Sequence, residues 1–146
     1  MEYIKSFTGK WEFLSNFSKY PVWFDGYFYP TVENAFQAAK TLDLDYRQRF
    51  LEVSPGAAKA MGRAVPLRPD WNIYFRYRVM RDLLRNKFGP YSKTPDLPRK
   101  LVSTYPNMLV EGNYWHDNTW GVCYCGKCKE GMNLLGMELM RIRDKL

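Results

Sequence analysis

Residues 31–40 read TVENAFQAAK. On a helix of 3.6 residues per turn, Glu33, Gln37 and Lys40 fall at i, i+4 and i+7, along one face. A carboxylate, an amide and an amine in one row supply an acid–base group, a partner to orient it and a nucleophile or cation. Val32, Ala35, Phe36 and Ala39 fill the other side at core spacing with Thr31 as N-cap, so the stripe is expected on a half-buried helix. A solvated helix face uses the same residue types, so the wall of a site and a solubilising stripe are both open readings.

Two further stretches carry polar groups in suggestive places. In WHDNTW, residues 115–120, Asp117 stands in a turn between Trp115 and Trp120, and reads either as a reactive loop carboxylate or as an Asx-turn residue. In GRAVPLRPDW, residues 62–71, Arg63 and Arg68 flank a bend that leads into a long helix. A helix start with guanidinium groups beside it suits a phosphate, and a capping loop with Asp70 as N-cap and salt-bridged arginines suits the same residues.

The remaining inventory narrows the chemistry. There is no P-loop, no G-x-G-x-x-G, no nucleophile elbow and no HExxH, and a single histidine, His116, argues against a Ser/His/Asp site. Carboxylates and a lysine favour acid–base or Schiff-base work on a sugar over acyl or phosphoryl transfer. Cys123, Cys125 and Cys128 in CYCGKC are an odd set of three that cannot build a disulfide framework. With His116 they have the makings of a zinc site, which the spacing leaves open; no metal and no redox or nucleotide cofactor is assigned to the reaction.

A chain of 146 residues has the length of one domain, expected over 1–146. Its formal net charge of +7 favours an anionic partner: a nucleic acid, a nucleotide or a phosphorylated small molecule. Five tryptophans spread over the length offer flat rings for a nucleobase, although core packing is their commoner use. No apolar run is long enough to span a bilayer, and the expected location is the cytoplasm, without membrane contact.

The elements expected to position these groups are mainly helical. EFLSNF reads as a strand, and PVWF–DG–YFYP as a hairpin. From Thr31 a helical pattern runs on through DLDYRQRFLEV to Ser54, which caps a short helix with Pro55 at its first position and Gly62 at its end. Residues 71–88 carry the longest apolar stripe, with Arg76, Arg78, Arg81 and Arg85 read as its solvated faces. A Pro-rich loop, another short helix, the strands MLVEGN and TWGVCY and a closing amphipathic helix follow. The expected fold is a compact α+β domain, predominantly helical around a small β-sheet.

Taken in order, FLSNF, TVENAFQAAK, SPGAAKAMGR, LRPDW, LVEGNYWHDNTWG and NLLGMELMRIR resemble the blocks of the NADAR superfamily over nearly the whole chain. The CYCGKC insert departs from that pattern where a glycine-rich turn is expected. The resemblance implies N-glycosidase activity, in one branch removing ADP-ribose from guanine in DNA or RNA, in another cleaving the ribosyl bond of riboflavin-pathway intermediates. For such a reaction the polar stripe makes Glu33 the candidate acid–base and Lys40 a Schiff-base nucleophile or a cation that orients Glu33 and a phosphate, and Asp117 is the group expected to activate water or hold a ribose hydroxyl. Asn16 is expected near the ribose with Gln37 on the same stripe, Arg63 and Arg68 on the diphosphate, and Trp71 and Trp115 on the base or adenine. A non-catalytic module that binds ADP-ribose or nucleic acid is the competing class.

Overall fold

Side chains that compete with the backbone for hydrogen bonds cut this chain into short elements. In order they are β1 (Tyr3–Ile4), a 3-10 helix (Gly9–Leu14), β2 (Val22–Phe24), β3 (Tyr27–Tyr29), α1 (Val32–Ala38), α2 (Leu44–Arg49), α3 (Pro55–Met61), α4 (Ile73–Phe88), α5 (Asp96–Val102), β4 (Met108–Leu109), β5 (Gly112–Asn113), β6 (Val122–Cys123) and α6 (Leu134–Asp144). The computed structural model describes residues 2–146. They group into two units, one made of the chain up to Ser15 with Phe88–Pro90 and Pro95–Leu146, the other of Asn16–Lys87 with Tyr91–Thr94. The fold is α+β and mostly helical. Among the described residues its strands form three two-stranded pairs: β1 with β4 and β5 with β6 parallel, and β2 with β3 antiparallel. Strands of two or three residues expose too few backbone groups to recruit further neighbours.

In the unit that begins at Asn16, α1 is the central element. Thr31 starts it by accepting the Asn34 N–H at 3.0 Å, and all seven helical residues are buried, with α2, α3, β2 and β3 against it. The helix expected to be half-buried is therefore buried on every side. Asn34 inside it donates to the carbonyls of Phe50 and Val53, both at 2.8 Å, while its oxygen accepts from Thr31 Oγ1 at 2.6 Å. The helical pattern does not run on to Ser54: Asp43 Oδ1 accepts the N–H groups of Asp45 at 2.9 Å and Tyr46 at 3.3 Å, which opens α2 as a new helix. Ser54 caps α3 with Pro55 at its start, as expected. The hairpin turn is Asp25–Gly26, both at positive φ.

Helix α4 buries Val79, Met80, Leu83 and Leu84. Its cap is Asn72, whose Oδ1 accepts the Phe75 N–H at 2.9 Å; Asp70, the expected cap, is held by Arg68 instead. Lys87 on the same helix is buried, and its ammonium donates to Ser18 Oγ at 2.9 Å.

In the other unit, residues 12–14 do not form a strand. They lie in a 3-10 helix, which buries Phe13 and Leu14 side by side. Leu97, Leu101, Leu109, Leu135 and Leu139 fill the core. Arg143 of α6 donates to Thr104 Oγ1 at 3.0 Å and to the Asn107 carbonyl at 2.8 Å. Asn133, ahead of α6, spans the chain after β4 by accepting the Glu111 N–H at 3.0 Å and donating to the Leu109 carbonyl at 2.9 Å. No described helix is long and apolar enough to cross a membrane.

Asn34→Ala leaves two interior carbonyls without their donors, so it should lower stability by about 2–4 kcal/mol. Denaturant unfolding at constant m-value measures this; an unchanged midpoint would mean those carbonyls find other partners.

Candidate active site

The polar stripe of α1 lies indoors. Glu33 is 8% exposed and Gln37 5%, and Gln37 Nε2 donates to Glu33 Oε1 at 2.8 Å. The Glu33 N–H, in the first helical turn, donates to the Asn16 carbonyl at 3.0 Å, which brings Asn16 to the start of the helix. A carboxylate in that turn is favoured by the aligned N–H groups there. Gly62, which ends α3, closes the site from another side: a Cβ on it would stand 1.9 Å from Gln37 Oε1, so a side chain there would have to displace the Gln37 amide. Among the described residues, Gln37 Oε1, Asn16 Oδ1 and Arg76 Nε are buried without a hydrogen-bond partner. Each such group costs about 1–3 kcal/mol when left unpaired.

Lys40 follows α1 and is half-buried. Burial holds its ammonium below the usual lysine range; Glu33 opposes that shift, and the charges of Arg76 and Arg63 add to it. Arg68 is tied to this corner through its backbone, donating N–H to the Lys40 carbonyl at 2.7 Å. Its guanidinium pairs with Asp70 through Nε at 2.6 Å and Nη2 at 3.2 Å, and lies 4.3 Å from the centre of the Phe75 ring. Those bonds from Arg68 keep the Asp70 carboxyl below the ordinary range. Trp71 packs edge-on against Phe36 and Phe75, at 5.3 and 5.9 Å between ring centres. Arg63 is exposed just past α3.

Thus Asn16, Glu33, Gln37, Lys40, Arg63, Arg68 and Trp71 share one unit, and Asp117 and Trp115 belong to the other. There, Asp117 Oδ1 accepts the N–H groups of Thr119 at 3.1 Å and Trp120 at 2.9 Å, an Asx-turn arrangement. Asn113 embraces the same residue, accepting its N–H at 3.1 Å and donating to its carbonyl at 2.8 Å. Trp115 is largely exposed.

Comparison with known proteins bears on this arrangement. The family model described as the NADAR domain matches residues 3–146. The chain belongs to the NADAR family. It is 41% identical over 136 residues to N-glycosidase YbiA of Escherichia coli, covering 91% of this chain and 80% of that one. N-glycosidase Npun_R5314 of Nostoc punctiforme is 31% identical, over 91% of this chain and 84% of its own. The riboflavin biosynthesis protein PYRR of Zea mays, chloroplastic, is 32% identical over 98% of this chain but only 25% of its own length. The NMR structure of E. coli YbiA superposes with a TM-score of 0.81 at 36% identity, over 99% of this chain and 86% of that one.

Two residues of this NADAR chain join the group without having been singled out in the sequence. Arg76, read as part of a solvated face, is half-buried with its Nε inside. It precedes Val79 and Met80 by three and four positions, so its place on the buried edge of the α4 stripe was available from spacing. Gly62 was read only as a helix terminator; its second role depends on how α3 meets α1.

The Lys40 environment predicts a pH effect. A lysine whose folded pKa is depressed binds fewer protons than the unfolded chain, so folding is penalised at neutral pH and the penalty lifts as pH rises toward the ordinary lysine value. Lys40→Met should therefore melt no lower than the parent at neutral pH, with the difference shifting in the parent's favour as pH rises. A variant that melts well below the parent at neutral pH would show that the charged amine is net stabilising.

Proposed function

We propose that this NADAR-family protein is an N-glycosidase that removes ADP-ribose from guanine in nucleic acid. The observation that carries the reading is the buried Glu33–Gln37 pair, set beside an amine whose positive charge is disfavoured. Departure of the base leaves positive charge on the anomeric carbon and negative charge on the leaving nitrogen. Glu33, oriented by Gln37, serves as the acid–base group. In one route the ribose opens by cleavage of C1–O4′ with a proton going to O4′, Lys40 as a free amine adds to C1, guanine leaves with a proton from Glu33, and water hydrolyses the Lys40 Schiff base to release ADP-ribose; in the other, Lys40 steadies the neighbouring carboxylate while water takes the anomeric carbon. Asn16 offers an unpaired amide oxygen to a ribose hydroxyl. Arg63 and Arg76 attract the diphosphate, Arg68 holds the end of α1 through Lys40 and Ala39, and Trp71 offers an aromatic edge to the base. Asp117 and Trp115, from the turn WHDNTW, are assigned in the same reading, Asp117 to activate water or hold a ribose hydroxyl and Trp115 to stack on base or adenine.

Support for a polymer substrate comes from the surface around the hairpin, where Trp23, Phe28 and Tyr91 are exposed and Lys93 Nζ lies 5.2 Å from the Phe28 ring centre. Rings and a cation in that arrangement suit flanking bases and phosphates. A second reading, cleavage of phosphoribosyl riboflavin intermediates, is favoured by the name of the maize relative.

An oligonucleotide carrying ADP-ribosyl guanine, with turnover resolved by mass, tests the proposal. The parent should release ADP-ribose and leave guanine intact, while Glu33→Gln should retain binding and lose about 10²–10⁴-fold in kcat. Tight ADP-ribose binding without release by the parent would favour a binding module. Activity confined to riboflavin intermediates would establish the second reading.

A further inference from the structure

We propose that His116, Cys123, Cys125 and Cys128 form a closed zinc site that fastens the loop between β5 and β6 to the turn that follows β6. This site is separate from the glycosidase reading and rests on none of its residues. The four ligand atoms lie within 4.8 Å of one another. His116 Nδ1 is 3.1 Å from Cys128 Sγ and 3.6 Å from the sulfurs of Cys123 and Cys125, and Cys125 Sγ is 3.4 Å from Cys128 Sγ. A tetrahedral zinc with Zn–S near 2.3 Å and Zn–N near 2.0–2.1 Å places sulfurs about 3.8 Å apart and nitrogen about 3.5 Å from sulfur. The observed separations cluster near those values.

The surroundings support a metal over chance proximity. His116 is exposed and Cys125 and Cys128 half-buried, so burial of apolar surface does not explain the convergence of a histidine with cysteines 7, 9 and 12 positions away. His116 takes the left-handed φ of +70°, a conformation uncommon for a residue other than glycine. Gly126, at φ +83°, allows the tight C-G-K-C turn in which the Lys127 N–H approaches Cys125 Sγ at 3.4 Å. Asn118 Oδ1 accepts the Cys123 N–H at 3.0 Å, fixing a second ligand from outside.

Three thiolates and an imidazole in tetrahedral array select zinc among common divalent ions. With all four positions supplied by protein, the site is structural. Its consequence is local: Asp117 and Asn118 follow His116 directly, and the carbonyls of Asn118, Thr119 and Trp120 accept N–H groups from Met132, Leu134 and Leu135 at 2.8, 3.1 and 3.0 Å. The metal thus clamps the loop that leads onto the first turn of α6.

The full chain, purified without a metal-binding tag or chelator, should contain one zinc per molecule by elemental mass spectrometry. Replacement by cobalt(II) should give the intense ligand-field and sulfur-to-metal bands of tetrahedral thiolate coordination. His116→Ala and Cys125→Ser should each weaken zinc binding at least about tenfold, and a strong chelator should lower the parent's melting temperature reversibly. Three results would overturn the proposal: a parent that neither contains nor takes up zinc or cobalt, a melting temperature indifferent to chelator, or a mass lower by two hydrogens from a Cys125–Cys128 disulfide. Because the cobalt spectrum is read on the parent, a variant that fails to fold leaves the test intact.

Discussion

Burial of α1 on every side is the constraint from which the rest of its unit follows. A seven-residue helix with no solvent face must satisfy its polar side chains internally, and Asn34, Gln37 and Glu33 are all inside it. Asn34 resolves this structurally, joining the cap at Thr31 to the carbonyls that follow α2. Gln37 and Glu33 resolve it only in part, since one amide oxygen stays unpaired beside Gly62. In an environment of reduced dielectric, a carboxylate held this way interacts with nearby charge more strongly than it would in water. Where α1 ends, Lys40 emerges half-buried and carries the same effect to an amine.

The excess of cations is sorted by the fold into different tasks. Arg47 is buried, pairs with Asp25 and donates Nε to the Thr41 carbonyl at 2.7 Å. Arg143 reaches Thr104 and Asn107, and Arg68 pairs with Asp70 while stacking on Phe75. These guanidinium groups hold chain segments together. Arg63 and Arg76, whose charges both act on Lys40, belong to the α1 corner instead.

In the other unit, amides and backbone groups tie down the segment WHDNTW. Asp117, Asn113 and Asn118 each bond to neighbouring peptide groups, and Asn133 bridges two more from the start of α6.

Local signals in the sequence determined local structure: Thr31, Ser54 and Pro55 set helix starts, Asp-Gly set the hairpin, and the spacing of Glu33 and Gln37 put them on one face of α1, whereas Lys40, expected on the same helix, falls in the turn after it because the helix ends at Ala38. The order of motifs along the chain was enough to indicate the NADAR family. Local signals failed where two elements competed for one side chain. Asp43 broke a pattern that periodicity alone carried on to Ser54, Asn72 capped α4 because Asp70 was bound by Arg68, and Phe13 and Leu14 packed together in a 3-10 turn. Only the tertiary structure decided that the α1 stripe faces the interior, because an amphipathic pattern does not reveal whether its polar side meets water or protein. Only the folded chain decided that Gly62 abuts Gln37 and that His116 meets three cysteines, because both contacts join residues whose separation in sequence carries no period.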